Sequence, residues 1–191
     1  MNQNNKFVFE DKEMDFGIVE LWEQKYSNIY NMQETIAEFL VERALGLEKS
    51  FNSDYWTLYD ILYRDYRIEV KETGYYHPWN EEGNISLQRV FGITKANSNY
   101  EDNTKENKYE RQNDIYVFCL NTGKDKETSN PMNINNWKFY IIPTAVINKQ
   151  CGNNKTISLN RVKNLAREVQ YNEIKEVIDN IIDNSIFRGE K

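Results

Sequence analysis

Apolar residues recur at helical spacing over residues 31–46, where Ile36, Ala37, Leu40, Val41, Ala44 and Leu45 form one broad stripe. Asn31 followed three residues later by Glu34 is the signature of a capping pair, and Gly46 suits the end of the helix. Beyond it the period changes from helical to alternating. Residues 55–63 and 66–72 read as two strands joined by a tight turn at Arg64-Asp65. Residues 85–95 (ISLQRVFGITK) and 137–147 (WKFYIIPTAVI) read as further strands, the latter with Pro143 near its end. The run 114–120 (DIYVFCL) is almost continuously apolar, as in a central strand buried on both faces. Two helices close the chain. One starts near Ser158 and runs through Arg167, and the other carries Ile174, Val177, Ile178, Ile181 and Ile182 on one face.

Other segments carry weaker patterns. Residues 1–12 read as a flexible, frayed N-terminal arm, and 15–30 as a helix or partner-packing segment. Residues 96–112 lack apolar periodicity and read as a mobile loop; residues 121–136 read as a second polar loop. Helices flanking a mixed sheet define an α/β architecture, here one domain over 13–191 without internal repeats.

A length of 191 residues suits one domain with one sizeable core. No apolar run approaches the roughly 18 residues of a membrane span. The polar, acidic N-terminus does not read as a signal peptide. Two cysteines without metal-ligand spacing, Cys119 in an apolar run, suggest a reducing, cytoplasmic setting. The single histidine, His77, excludes zinc sites built from several histidines. A net charge of −6 counts against strong non-specific DNA binding. It is compatible with a cluster of acids that takes up magnesium.

The chemistry-bearing pattern is Asp60 followed nine residues later by Glu69-Val70-Lys71. With the turn centred between Arg64 and Asp65, residues whose numbers sum to 129 face each other, which puts Asp60 across from Glu69. Two facing carboxylates destabilise a sheet unless a cation lies between them. Lys71 shares the face of Glu69. Asp60 and Glu69, with the Val70 carbonyl, make a donor set for magnesium or manganese. The ammonium of Lys71 is placed to orient a water, to stabilise charge on a phosphate, or to act as a base with a lowered pKa. This is equipment for metal-dependent hydrolysis of a phosphodiester.

The segment Asp60…Glu69-Val70-Lys71 resembles the core of the PD-(D/E)XK nuclease superfamily, with its restriction-endonuclease-like fold. The order of elements is similar too: a helix bearing Glu, a strand ending in Asp, a strand bearing Glu-x-Lys, then further sheet and a helix. The likeness to an uncharacterised bacterial branch extends through Ala37-Glu38, Ala44-Leu45-Gly46, Trp56, Tyr76 to Trp79, Asp114 to Phe118 and Trp137 to Tyr140. It covers most of residues 31–185. Tyr59 stands where the superfamily carries Pro, and His77-Pro78 where that branch carries Gln-Ser.

The resemblance implies a mixed central sheet flanked by helices and a magnesium-dependent nuclease acting on DNA, with RNA left open and 5′-phosphate products. It implies catalytic roles for Asp60, Glu69, Lys71 and Glu38, with Glu38 assisting at the metal, and a homodimer. Arg111, His77, Trp79 and Arg161 are candidate nucleic-acid contacts. The competing expectation is a non-catalytic binding or interaction module on the same fold, which the acidic balance favours.

Overall fold

The structure, a computed structural model, describes residues 6–9, 12–17, 19, 32–47, 59–76, 89–97 and 109–187. In chain order the elements are β1 (Lys6–Phe9), β2 (Lys12–Gly17), α1 (Gln33–Ala44), β3 (Ile61–Tyr63), β4 (Tyr66–Gly74), β5 (Val90–Gly92), β6 (Ala96–Asn97) and β7 (Tyr109–Glu110). They continue with β8 (Ile115–Asn121), β9 (Trp137–Pro143), α2 (Thr144–Cys151), β10 (Thr156–Ser158), α3 (Leu159–Leu165) and α4 (Ile174–Phe187). The fold is mixed α/β around a four-stranded sheet of order β3-β4-β8-β9.

The centre of the sheet is the parallel pair β4–β8, running in unbroken register from Ile68↔Ile115 to Gly74↔Asn121. All seven residues of β8 are buried, because both faces of the sheet are covered. On one face Ile68, Val70, Ile115, Val117, Cys119, Phe139 and Ile141 pack against Ala37, Leu40 and Val41 of α1 and Ile174, Ile178 and Ile182 of α4. On the other, Tyr116, Phe118, Leu120, Tyr140 and Ile142 pack against Ile147 of α2, Val162 of α3, and Phe91 and Ile157 of the β5–β10 ribbon.

The β3–β4 hairpin follows the expected register: Ile61↔Ile68, Leu62↔Arg67 and Tyr63↔Tyr66. Arg64 and Asp65 both have positive φ, 50° and 63°. Left-handed values at both central residues match the twist of a two-residue hairpin, at a conformational cost for non-glycine residues. Contacts to α4 offset that cost: Arg64 meets Asp179 at 3.0 Å and Asp183 at 2.7 Å, and Lys175 donates to the Tyr63 hydroxyl at 2.6 Å.

Several expectations are corrected. Met32 holds the N-cap position of α1 and makes no side-chain capping bond, while Asn31 lies outside the described residues. Gly46 does end the helix, at φ 78°. The strand expected over 137–147 stops at Pro143, and residues 144–151 are helical. The Thr144 N–H is taken by the Asp114 carbonyl, and Ile147 and Cys151, one turn apart, face the second core. Lys6–Phe9 and Lys12–Gly17 pair as antiparallel strands where a frayed arm and the start of a helix were expected, with residues 1–5 and 10–11 outside the described residues. Apart from Val19, the remainder of the 15–30 segment lies outside the described residues. The loop expected over 96–112 contains the short β6–β7 pair, with 98–108 outside the described residues. In the 121–136 segment, the Trp137 indole donates to the Pro131 carbonyl at 2.9 Å and Asn121 to the Ser129 carbonyl at 3.1 Å. Among the described residues no helix is long and apolar enough to cross a membrane.

Candidate active site

Strand β3 covers only the first part of β4. Past Ile61↔Ile68 the regular ladder stops: the Asp60 N–H goes to the Ile68 carbonyl at 3.1 Å, and Asp60 sits in a bend. Asp60 is therefore not directly opposite Glu69 as the register alone implied; the pairing slips there in the manner of a bulge. The slip turns the carboxylate inward along the sheet edge. Its Oδ2 accepts the Val70 N–H at 2.6 Å, in the place where a strand partner would accept it. A strand residue's N–H and C=O point to the same side, so the Val70 carbonyl faces this edge too.

Glu69 and Lys71 project together from the opposite face of β4 to Ile68 and Val70, and are joined by an ion pair, Nζ to Oε1, of 2.7 Å. Their side chains are 20% and 26% exposed, which shields the pair from water but leaves it reachable. Glu38, on α1, is half-buried and close enough to feel both Asp60 and Lys71. Carboxylates from the bend and from β4 thus act on each other where β3 leaves the sheet, with Glu38 of α1 within electrostatic reach of Asp60.

The electrostatics show an acid surplus around one ammonium. Burial pushes the Glu38 carboxyl from 4.5 up to about 7, with Asp60 and Glu34 adding to it and Lys71 opposing. The Asp60 carboxyl is raised by burial, against the Val70 N–H and Lys71. That of Glu69 is raised by burial and then by Asp60, against Lys71. Burial alone pulls the Lys71 ammonium down and is the largest single influence, but Glu69, Asp60 and Glu34 together outweigh it and its pKa is raised. Lys71 is held charged here, which favours the positioning and charge-stabilising roles over the base role.

The donor chemistry fits a hard cation. Magnesium takes one or two carboxylates, accepts carbonyl oxygen and keeps several waters. Asp60 Oδ1 and Glu69 Oε2 accept no hydrogen bond among the described residues. Among those residues no three Asp, Glu, His or Cys side chains gather into a closed cage. The arrangement is an open site of two carboxylates, with Glu38 standing back from it.

The secondary candidates fare differently. Arg111 is buried and spends its donors on the fold: Nε on the Ile93 carbonyl at 2.9 Å, Nη1 on Asn148 Oδ1 at 2.7 Å and the Gly152 carbonyl at 3.0 Å, Nη2 on the Asn154 carbonyl at 3.0 Å. It is a loop clamp and is not presented to a phosphate. Arg161 lies on α3 and donates to the Gln150 carbonyl at 2.7 Å, with no bond to the carboxylate cluster. His77 and Trp79 lie outside the described residues. A cleft of about 810 Å³ is lined by Arg67, Asp114, Thr144 and Asn184 among others, and by none of Asp60, Glu69 or Lys71.

Two participants escaped the sequence reading. Glu34, one turn before Glu38, raises Glu38, Asp60 and Glu69 alike; its i−4 spacing from Glu38 was the available signal. Tyr116 stands beside Glu69 in the parallel register, and burial, then Glu69, pushes its hydroxyl up to about 12. Comparison with protein-family models, curated proteins and solved structures finds no match for this chain.

Proposed function

We propose that this chain is a metal-dependent nuclease that hydrolyses phosphodiester bonds in DNA, on a restriction-endonuclease-like version of its α/β fold. The observation that carries the reading is the convergence of Asp60, Glu69 and Lys71 at one sheet edge, with the two acids repelling each other and Lys71 held charged by them. Asp60, Glu69 and the Val70 carbonyl would hold magnesium or manganese, with Glu38 assisting from α1. When bound, the ion supplies Lewis acidity and a more acidic water. The Val70 N–H fixes the Asp60 carboxylate, so its free oxygen is oriented before any ligand arrives. Lys71 donates to Glu69 in the resting site, and its remaining two N–H bonds can meet a water or a phosphate oxygen. Glu38, with a carboxyl near 7, can hold or release a proton at neutral pH.

The test is cleavage of supercoiled, linear and single-stranded DNA, and of RNA, with manganese present. Wild type should cut, and Lys71→Ala should lose about a hundredfold or more of the rate. A wild type that cuts no better than Lys71→Ala refutes the hydrolase. The second reading, a non-catalytic binding or interaction module on the same fold, is favoured by the absence of a three-acid cage among the described residues and by the net charge of −6.

A further inference from the structure

Around Gly74, at the end of β4 and under the first residue of α1, three oxygens face a space that only a glycine leaves open. From the position a Cβ would take on Gly74, Gln33 Oε1 is 3.2 Å away, Glu72 Oε1 3.5 Å and the Tyr76 carbonyl 3.5 Å. Gln33 is only 4% exposed. Its Oε1 and that of Glu72 are both buried with no hydrogen-bond partner among the described residues. Leaving such acceptors unmet destabilises the fold, so two of them facing one space ask for a ligand. Gln33 Nε2 lies 3.5 Å from the Tyr76 carbonyl, with Oε1 turned toward Gly74. Turning the amide over would bring oxygen against oxygen.

We propose a second cation site here, separate from the Asp60–Glu69 centre, formed by Gln33 Oε1, Glu72 Oε1 and the Tyr76 carbonyl, for a hard cation larger than magnesium. Amide, peptide and carboxylate oxygens are the donor mix of calcium sites, and carbonyl oxygens also replace the water shell of potassium. Magnesium, which demands a small regular octahedron, fits this set poorly. The charges agree. No Lys or Arg figures among the groups acting on the Glu72 carboxyl. A bound cation joins β4 to the start of α1, the helix that carries Glu34 and Glu38, so it would brace the acid side of the main centre.

The test is thermal unfolding of the double variant Asp60→Asn/Glu69→Gln, which silences the main centre. Calcium chloride and potassium chloride are titrated in separate arms against choline chloride at constant ionic strength. One of the two salts should raise Tm by about 5 °C or more at saturation, and the arm that responds identifies the ion. Adding Glu72→Gln, whose amide can donate to Gln33 Oε1, should abolish the response without lowering the starting Tm. Adding Gly74→Ala, which fills the cradle, should abolish it independently. No response in either arm, as a bridging water would give, overturns the proposal. So does a response that survives both added variants. Neither result touches the nuclease reading, whose residues are already removed.

Discussion

Replacing Glu38 by Gln should stabilise the metal-free protein, and only at the alkaline end. The Glu38 carboxyl titrates near 4.5 when unfolded and at about 7 in the fold. A carboxyl whose folded pKa is raised contributes stability below its unfolded pKa and loses that contribution as pH rises through the folded one. At about 1.4 kcal/mol per tenfold change in proton affinity, the full loss by pH 8 is about 3 kcal/mol. Glu38 is only half-buried, and solvent screening reduces this to about 1–2 kcal/mol. Glutamine carries no charge to bury at any pH. In urea unfolding with EDTA, Glu38→Gln should exceed wild type by about 1–2 kcal/mol at pH 8 and match it near pH 4.5. A variant equal to or weaker than wild type at both pH values would show that burial and the Asp60 and Glu34 charges do not act on Glu38 as described.

Arg111→Ala should cost about 3–5 kcal/mol in the same assay, because the carbonyls of Ile93, Gly152 and Asn154 lose their donor together; a loss under 1 kcal/mol would return Arg111 to the list of available phosphate ligands. Cys119, whose thiol is pushed well above its usual range by burial and then by Glu72, Asp60 and Glu38, should resist an aromatic disulfide reagent at pH 8 until the protein unfolds. Labelling of Cys119 at the rate of an exposed thiol, read by peptide mapping, would contradict a sheet covered on both faces.

Much of the scaffold was legible because its signals are local or physically forced. An apolar run such as DIYVFCL has few places to go except a strand between two helical layers, and β8 is buried along its whole length. The Tyr63↔Tyr66 pairing followed from the position of a two-residue turn. What was lost depended on tertiary context. Thr144, Val146 and Ile147 have strand-like side chains, yet Pro143 turns the chain and the second core accepts Ile147 and Cys151 at helical spacing. Asp60 left its register because a free N–H at Val70 was a better partner than the ladder. Arg111 looked like a ligand clamp because sequence reports charge without reporting burial. Glu34 was assigned to a cap, and its charge on the site emerged only once α1 lay beside the bend. The Asp60–Glu69–Lys71 grouping was legible because one hairpin and one strand period bring it together.

In the proposed nuclease, Asp60 and Glu69 hold a divalent cation beside a charged Lys71. Titration calorimetry with manganese at pH 7, in two buffers of different ionisation enthalpy, tests it most directly. Wild type should bind and release protons, because Glu38, its carboxyl pushed up to about 7, gives up its proton when a cation arrives. Glu69→Gln should lose the binding heat. Equal heats in wild type and Glu69→Gln, or none in either, would contradict the account.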